Sequence, residues 1–168
     1  MVAPPCPMHY SPSLTYALAK RSHLTRSDND AYSHLNNTVY SHLYDSIINS
    51  YLITHCGLKL PSAAVPSSQI GLVVSSYSSY FAPISFPAVV ELGLRVNKLG
   101  KSSVEYEVGV FEEGQEEVRA VGGFTHVFVG RENRRPEAEG MTRDIRDGLE
   151  RLEVGRGLWV RRARVGKL

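Results

Sequence analysis

The chain is short of cysteine: among its 168 residues only Cys6 and Cys56 occur. Two thiols, one of them in a proline-rich stretch, exclude a disulfide framework and a C-x-x-C metal site and suit a reducing compartment. No run of about 18 apolar residues is present, so no membrane span is expected. The N-terminus has no charged segment leading into an apolar one, which argues against secretion. A cytoplasmic protein is the expectation. A net charge of +2 is too mild to mark a nucleic-acid partner, which needs a concentrated basic face. His23, His42, His55 and His126 lack H-x-x-x-H spacing with a carboxylate on the same face, so no metal site is expected. The absence of a G-x-S-x-G elbow argues against a serine-dependent hydrolase of that class.

What remains is ordinary globular usage, 42% apolar and 21% charged, in a chain the size of one domain. Residues 1–14, with the start "MVAPPCPMHYSP", read as an irregular Pro-rich lead-in. Residues 15–152 read as the domain. Residues 153–168 read as a basic tail containing Arg161, Arg162 and Arg164. Its last three residues, Gly166, Lys167 and Leu168, resemble a peroxisomal S-K-L address with glycine replacing serine.

Within the domain the hydrophobic period changes once. A short strand is expected across Thr15 to Thr25. From Asn37, the residues Val39, Tyr40, Leu43, Ile47, Tyr51 and Leu52 recur at steps of three and four, which predicts a helix ending near Cys56 and Gly57. Thereafter the period is two. "GLVVSSYSSYF", "AVVELGLRV", "SVEYEVGVF" and "EVRAVGGFTHVFVG" predict four long strands, with turns at Gly100 and Gly114. Consecutive strands joined by short turns predict an antiparallel meander. Ile145, Leu149 and Leu152 predict a short helix over Thr142 to Leu152. The class is therefore α+β, ordered strand, helix, meander. Gly122 and Gly123, inside a strand pattern, predict a bulge or a close backbone approach. His126, between Phe124 and Phe128 on one face, reads as a buried or interface histidine.

The stretch "TRSDNDAYSHLNNTVYSHLYDSI" gathers Asp28, Asp30, His34, Asn36 and Asn37 at the mouth of the main helix. Asp and Asn there serve as turn formers and caps. The same arrangement also suits acyl transfer: a carboxylate supplies a base or nucleophile, and free helix N–H groups hold the oxyanion.

That stretch, with "SSYSSYFAPISFPAVVELGLRVNKLGKSSVEYEVGVF" and "GGFTHVFVGRENRRP", resembles the hot-dog-fold acyl-CoA thioesterases of the 4-hydroxybenzoyl-CoA thioesterase-like group. The resemblance covers roughly Arg21 to Leu152. It implies an antiparallel sheet wrapped around one long central helix, and subunits that pair their sheets into dimers or tetramers. It implies a substrate of acyl-CoA type and no cofactor, coenzyme A being part of the substrate. The family's D-x-D motif falls on Asp28 and Asp30, with Asp30 as the catalytic carboxylate, acting as nucleophile or general base. The usual glycine-histidine pair is here Ser33-His34, a departure that narrows backbone freedom in the loop. His34 matches, and Asn37 with the adjoining N–H groups would orient the acyl carbonyl. Coenzyme A phosphates would meet basic side chains, for which Lys98, Lys101, Arg131, Arg134 and Arg135 are the candidates. The acyl chain would run along the helix past Tyr40, Tyr44, Ser75 and Ser76. Alternatives within the fold are a thioesterase acting on an acyl carrier protein, a non-catalytic acyl-CoA-binding protein, and a hydratase, whose D-x-N-P-x-H-type loop "DNDAYSHLNN" does not match.

Overall fold

The computed structural model describes residues 14–16, 18–153 and 161–165. Cys6, most of the proline-rich lead-in and the Gly166–Leu168 ending lie outside the described residues. The chain runs β1 (Leu14–Tyr16), β2 (Leu18–His23), a 3-10 turn (Arg26–Asp28) and α1 (Asn37–His55). It continues through β3 (Gln69–Tyr80), β4 (Val89–Leu99), β5 (Ser103–Glu112), β6 (Glu117–Gly130), α2 (Arg143–Glu150) and β7 (Arg161–Val165).

Helix α1 contains no Ala, Glu, Gln, Lys, Arg or Met, and of the residues that favour helix most it has only Leu43 and Leu52. Its residues fall short of alanine by up to about 0.7 kcal/mol each. Burial decides the matter. Tyr40, Leu43, Tyr44, Ile47, Ile48, Tyr51 and Leu52 all face the core, and burying a large apolar side chain contributes about 1.5–3 kcal/mol. Asn36 caps the start by accepting the Thr38 N–H, and Gly57, at φ +67°, closes the end.

The sheet curls around this helix. Leu92, Leu94 and Val96 of β4, Val104, Tyr106, Val108 and Val110 of β5, and Ala120, Phe124 and Phe128 of β6 form one buried cluster with the α1 residues. Helix α2 seals the far end, where the Tyr51 hydroxyl donates to Gly148 O at 2.7 Å. Gly122 is required at its place, because an added Cβ would lie 2.7 Å from the Tyr44 ring and clash with the Tyr77 carbonyl. The close approach expected at the Gly122–Gly123 doublet is therefore present. His126 is buried, 3% exposed, among the rings of Tyr106, Phe124 and Phe128.

Two expectations need correction. The meander holds for β4, β5 and β6, which pair in sequence, but β3 does not pair with β4. It crosses to pair antiparallel with β6, from Gln69↔Gly130 to Tyr80↔Ala120, while β2 takes the outer edge of β4. The linker explains this. Residues 81–88 form a linker with Pro83 and Pro87, longer than a tight hairpin turn, and such a segment is a crossover rather than a hairpin turn. The second correction lies in the basic tail, where β7 pairs antiparallel with β1 and parallel with Glu117 and Val118 of β6.

Candidate active site

The loop between β2 and α1 is folded on itself. Asn29 and Leu35 form an antiparallel bridge at its neck. Inside it the Asp30 N–H donates to His34 O at 2.7 Å and the Ser33 N–H donates to Asp30 O at 3.1 Å. So tight a turn forces Ser33 to φ +62°, a conformation that glycine adopts freely and serine does not.

The Asp30 carboxylate points back into this loop. Its Oδ1 accepts the N–H of Tyr32 at 2.8 Å and of His34 at 3.0 Å. Among the described residues nothing donates to Oδ2. One oxygen thus fixes the group while the other is left without a donor among the described residues. Asp28 is committed differently: its Oδ2 accepts the Thr25 N–H at 2.6 Å and the Thr25 hydroxyl at 2.9 Å, closing a capping box on the 3-10 turn. Its carbonyl receives the Asn36 N–H at 2.8 Å, which sets the start of α1.

Asp30, His34, Asn37 and Tyr40 line a single cleft of about 320 Å³. Its other wall is Tyr80, Phe81, Ala82, Pro83 and Ile84, joined to the first wall by Leu35 N–H donating to Ile84 O at 2.7 Å. Asn37 is the first residue of α1. With Thr38 N–H taken by the Asn36 side chain and Val39 N–H by its carbonyl, the Asn37 N–H has no acceptor among the described residues. It carries the positive end of the helix dipole to the cleft. Burial, and after it the neighbouring Tyr80, push the Tyr40 hydroxyl up to about 12, so it stays protonated.

The remaining candidates lie elsewhere. Tyr44 is fully buried one turn deeper, its hydroxyl accepting from Ser78 Oγ at 3.3 Å. Ser75 and Ser76 are exposed on β3. Arg131 lines a separate pocket of about 360 Å³ with Ser67, Ser68 and Asn133, and its Nε donates to Ser67 O at 2.8 Å. Arg134 and Arg135 extend from the same loop and are exposed, as are Lys98 and Lys101 at the β4–β5 turn. These five cations stand at the Gln69 end of β3, whereas the cleft stands at the Tyr80 end. Twelve residues of strand put the two ends roughly 35 Å apart. The structure therefore unites Asp30, His34, Asn37 and Tyr40 but leaves the basic cluster outside their cleft.

Sequence reasoning did not identify Leu35, Tyr80 or the Phe81–Ile84 wall. The linker's aromatic and apolar residues were visible, but the bond that carries them to Leu35 leaves no periodic signal. Among the described residues no group of three or more His, Cys, Asp or Glu side chains is placed to hold a metal ion, and no helix is long and apolar enough to cross a membrane.

Residues 32–119 match the model of the thioesterase superfamily. The PA5185 protein of Pseudomonas aeruginosa strain PAO1 is 41% identical, with 86% of this chain and 99% of that chain covered at a TM-score of 0.78. A 1,4-dihydroxy-2-naphthoyl-CoA thioesterase of Synechocystis is 12% identical, covering 82% of this chain and 97% of its own at a TM-score of 0.69. The SAV2348 protein of Staphylococcus aureus, solved in complex with CoA, is 9% identical, covering 86% and 87% at 0.68. The last two are alike in fold. No curated protein matches the sequence.

Proposed function

The chain belongs to the thioesterase superfamily and is a thioester hydrolase, and from that premise we propose that it cleaves an acyl-CoA to a carboxylic acid and free coenzyme A, with Asp30 as the working carboxylate. The observation that carries this is the division of labour within Asp30, a residue of the cleft wall: Oδ1 is held by two loop N–H groups while no described residue donates to Oδ2. A thioester carbonyl in the cleft would find Oδ2 on one side and the Asn37 N–H on the other. The N–H, backed by the helix dipole, holds the oxyanion that forms on the carbonyl oxygen. Oδ2 either attacks the carbonyl carbon or draws a proton from a water that does so. In both routes the C–S bond breaks and the thiolate leaves and is protonated; with water as the attacking group the acid forms directly, whereas direct attack gives a mixed anhydride on Asp30 whose C–O bond a water then cleaves, releasing the acid and restoring the carboxylate.

The position of the basic residues argues for a working unit of more than one chain. Strand β3 pairs with β6 on one side only, and among the described residues its other edge is open. Apolar side chains are exposed along that strand, Val73 at 50%, Val74 at 60% and Tyr77 at 36%, together with Ser75 and Ser76. Two β3 strands laid antiparallel would bring the Arg131, Arg134 and Arg135 end of one copy beside the Asp30 cleft of the other. The cations would then meet CoA phosphates while the cleft takes the thioester. The CoA complex of the Staphylococcus aureus protein, alike in fold, supports a CoA-type ligand. An acyl group of aromatic type belongs in any substrate panel, given Tyr40, Tyr80 and Phe81 at the cleft and the naphthoyl-CoA activity of the Synechocystis neighbour.

The test is thiol release from short, medium, long and aromatic acyl-CoAs by wild type and Asp30→Asn. Wild-type release that drops on the order of 10²–10⁴ in the variant is expected for a positioned carboxylate; equal rates would remove Asp30 from the mechanism. A single turnover in heavy-oxygen water identifies direct attack followed by water addition at the Asp30 carboxyl carbon, since only that sequence leaves an Asp30 oxygen in the released acid and puts the heavy oxygen on Asp30.

A further inference from the structure

Asn29, between the two aspartates, bonds the two segments that carry the walls of the cleft, the 30–37 loop and the 81–88 linker. Its Nδ2 donates to Ser33 O at 2.9 Å, and its Oδ1 accepts the Phe86 N–H at 3.1 Å. A backbone carbonyl can only accept and a backbone N–H can only donate, so the two partners fix which way the amide faces. The Ser33 carbonyl belongs to the same peptide unit as the His34 N–H, and that N–H is one of the two donors to Asp30 Oδ1. Because a peptide unit is a rigid plane, holding its oxygen fixes the direction of its N–H. Asn29 therefore reaches the Asp30 carboxylate through one plane. On its other side it ties that plane to the linker that forms the opposite wall.

We propose that Asn29 is a positioning residue for Asp30, acting through the Ser33–His34 peptide and anchored on Phe86. The peptide needs such a hold, since Ser33 sits at φ +62° and would relax toward extended or right-handed backbone if released. Relaxation turns the His34 N–H away from Oδ1 and lets the carboxylate swing. A misplacement of about 1 Å in a reacting group costs on the order of 10²-fold in rate. The catalytic part of this proposal rests on the reading of Asp30 given above; the structural part stands without it.

The full chain is compared with Asn29→Ala and Asn29→Asp. The aspartate keeps an acceptor for Phe86 and loses the donor to Ser33, so it breaks the proposed link while preserving the anchor. In both variants, amide exchange at Tyr32 and His34 is expected to quicken about tenfold with α1 amides unchanged. In thiol release, kcat is expected to fall ~10–100-fold with KM within about twofold. Added to Asp30→Asn, neither change should cost anything more, because both residues would act through one group. Unchanged exchange at Tyr32 and His34 would overturn the proposal. So would a wild-type kcat in Asn29→Asp, or an Asn29→Ala loss that persists undiminished in the Asp30→Asn background. A wild type that releases no thiol would instead overturn the hydrolytic reading, and the exchange rates would still decide whether Asn29 holds the loop.

Discussion

The rings of Tyr40 and Tyr80 meet edge to face, their centroids 5.0 Å apart and their planes at 71°. Tyr40 is buried on α1, while Tyr80, at the end of β3, keeps 43% of its surface exposed. Both rings line the cleft, and one turn along α1 from Tyr40 the Tyr44 hydroxyl accepts from Ser78 on β3. Such a contact contributes about 0.5–1.5 kcal/mol beyond the area it buries. Tyr80→Ala should therefore cost little stability but open the cleft along the α1–β3 seam. The expected result is a shift in preference toward bulkier acyl groups, on the order of tenfold in the ratio of kcat/KM values. A substrate panel on wild type and variant, with melting curves alongside, checks it; an unchanged ratio would show that acyl groups do not pass Tyr80.

The two aspartates of the D-x-D motif should separate by what they damage. Asp28 gives both of its acceptor bonds to Thr25 and is part of a capping box. Asp28→Ala removes a cap, whose loss typically costs about 1 kcal/mol. Its effect should fall on the midpoint of denaturation and leave kcat within about threefold, in contrast to the loss of a reacting group, on the order of 10² or more. Denaturant titration and thiol release on the same preparations give both numbers.

How far the sequence revealed this molecule depended on how local each feature was. Helix α1 and the β4–β5–β6 hairpins showed in the hydrophobic period because their stabilising contacts repeat at fixed steps along the chain. Asp30, His34 and Asn37 could be grouped because a few residues separate them and a helix begins among them. The pairing of β3 with β6 could not be read, since alternation along β3 is the same whichever partner it takes. The Phe81–Ile84 wall was hidden for a related reason: Leu35 N–H to Ile84 O is a single bond between distant segments. The cations at Arg131, Arg134 and Arg135 were visible as a cluster, but a charge cluster carries no distance, and its place at the far end of β3 had to come from the register. Asn29 was passed over because a residue between two aspartates reads as a turn former, and its role depends on a peptide plane that sequence does not display.

Ser33 offers a test of strain in the active loop. A non-glycine residue at φ +62° carries a penalty of roughly 1–2 kcal/mol, partly offset by the extra freedom glycine has when unfolded. Ser33→Gly is expected to stabilise the chain by about 0.5–1 kcal/mol, which for a domain of this size raises the melting midpoint by about 1–4 °C. The loop bonds at Asp30 use only Ser33 backbone atoms, so kcat should be retained. A lower midpoint would mean that the serine hydroxyl contributes more than its backbone costs.

His126 sets an acid limit on stability. It is 3% exposed, its Nδ1 has no hydrogen-bond partner, and burial depresses it from 6.5 to about 4, opposed only in part by Asp45. In the unfolded chain the imidazole takes its proton near 6.5, whereas in the folded chain it remains neutral until about pH 4. Across that window the unfolded state binds more protons, so stability falls as pH falls. The contribution is fully present above about 6.5 and is lost on the way down to about 4, at most on the order of 3 kcal/mol. Surrounding rings from Tyr106, Phe124 and Phe128 leave a site that an aromatic side chain can fill. His126→Phe should remove this part of the acid sensitivity while leaving carboxylate titrations in place. Denaturation free energies measured at intervals from pH 7 to 4 are expected to converge less steeply in the variant. Parallel curves for the two proteins would show that His126 takes up its proton as readily in the folded chain as in the unfolded one, its surroundings opening to water.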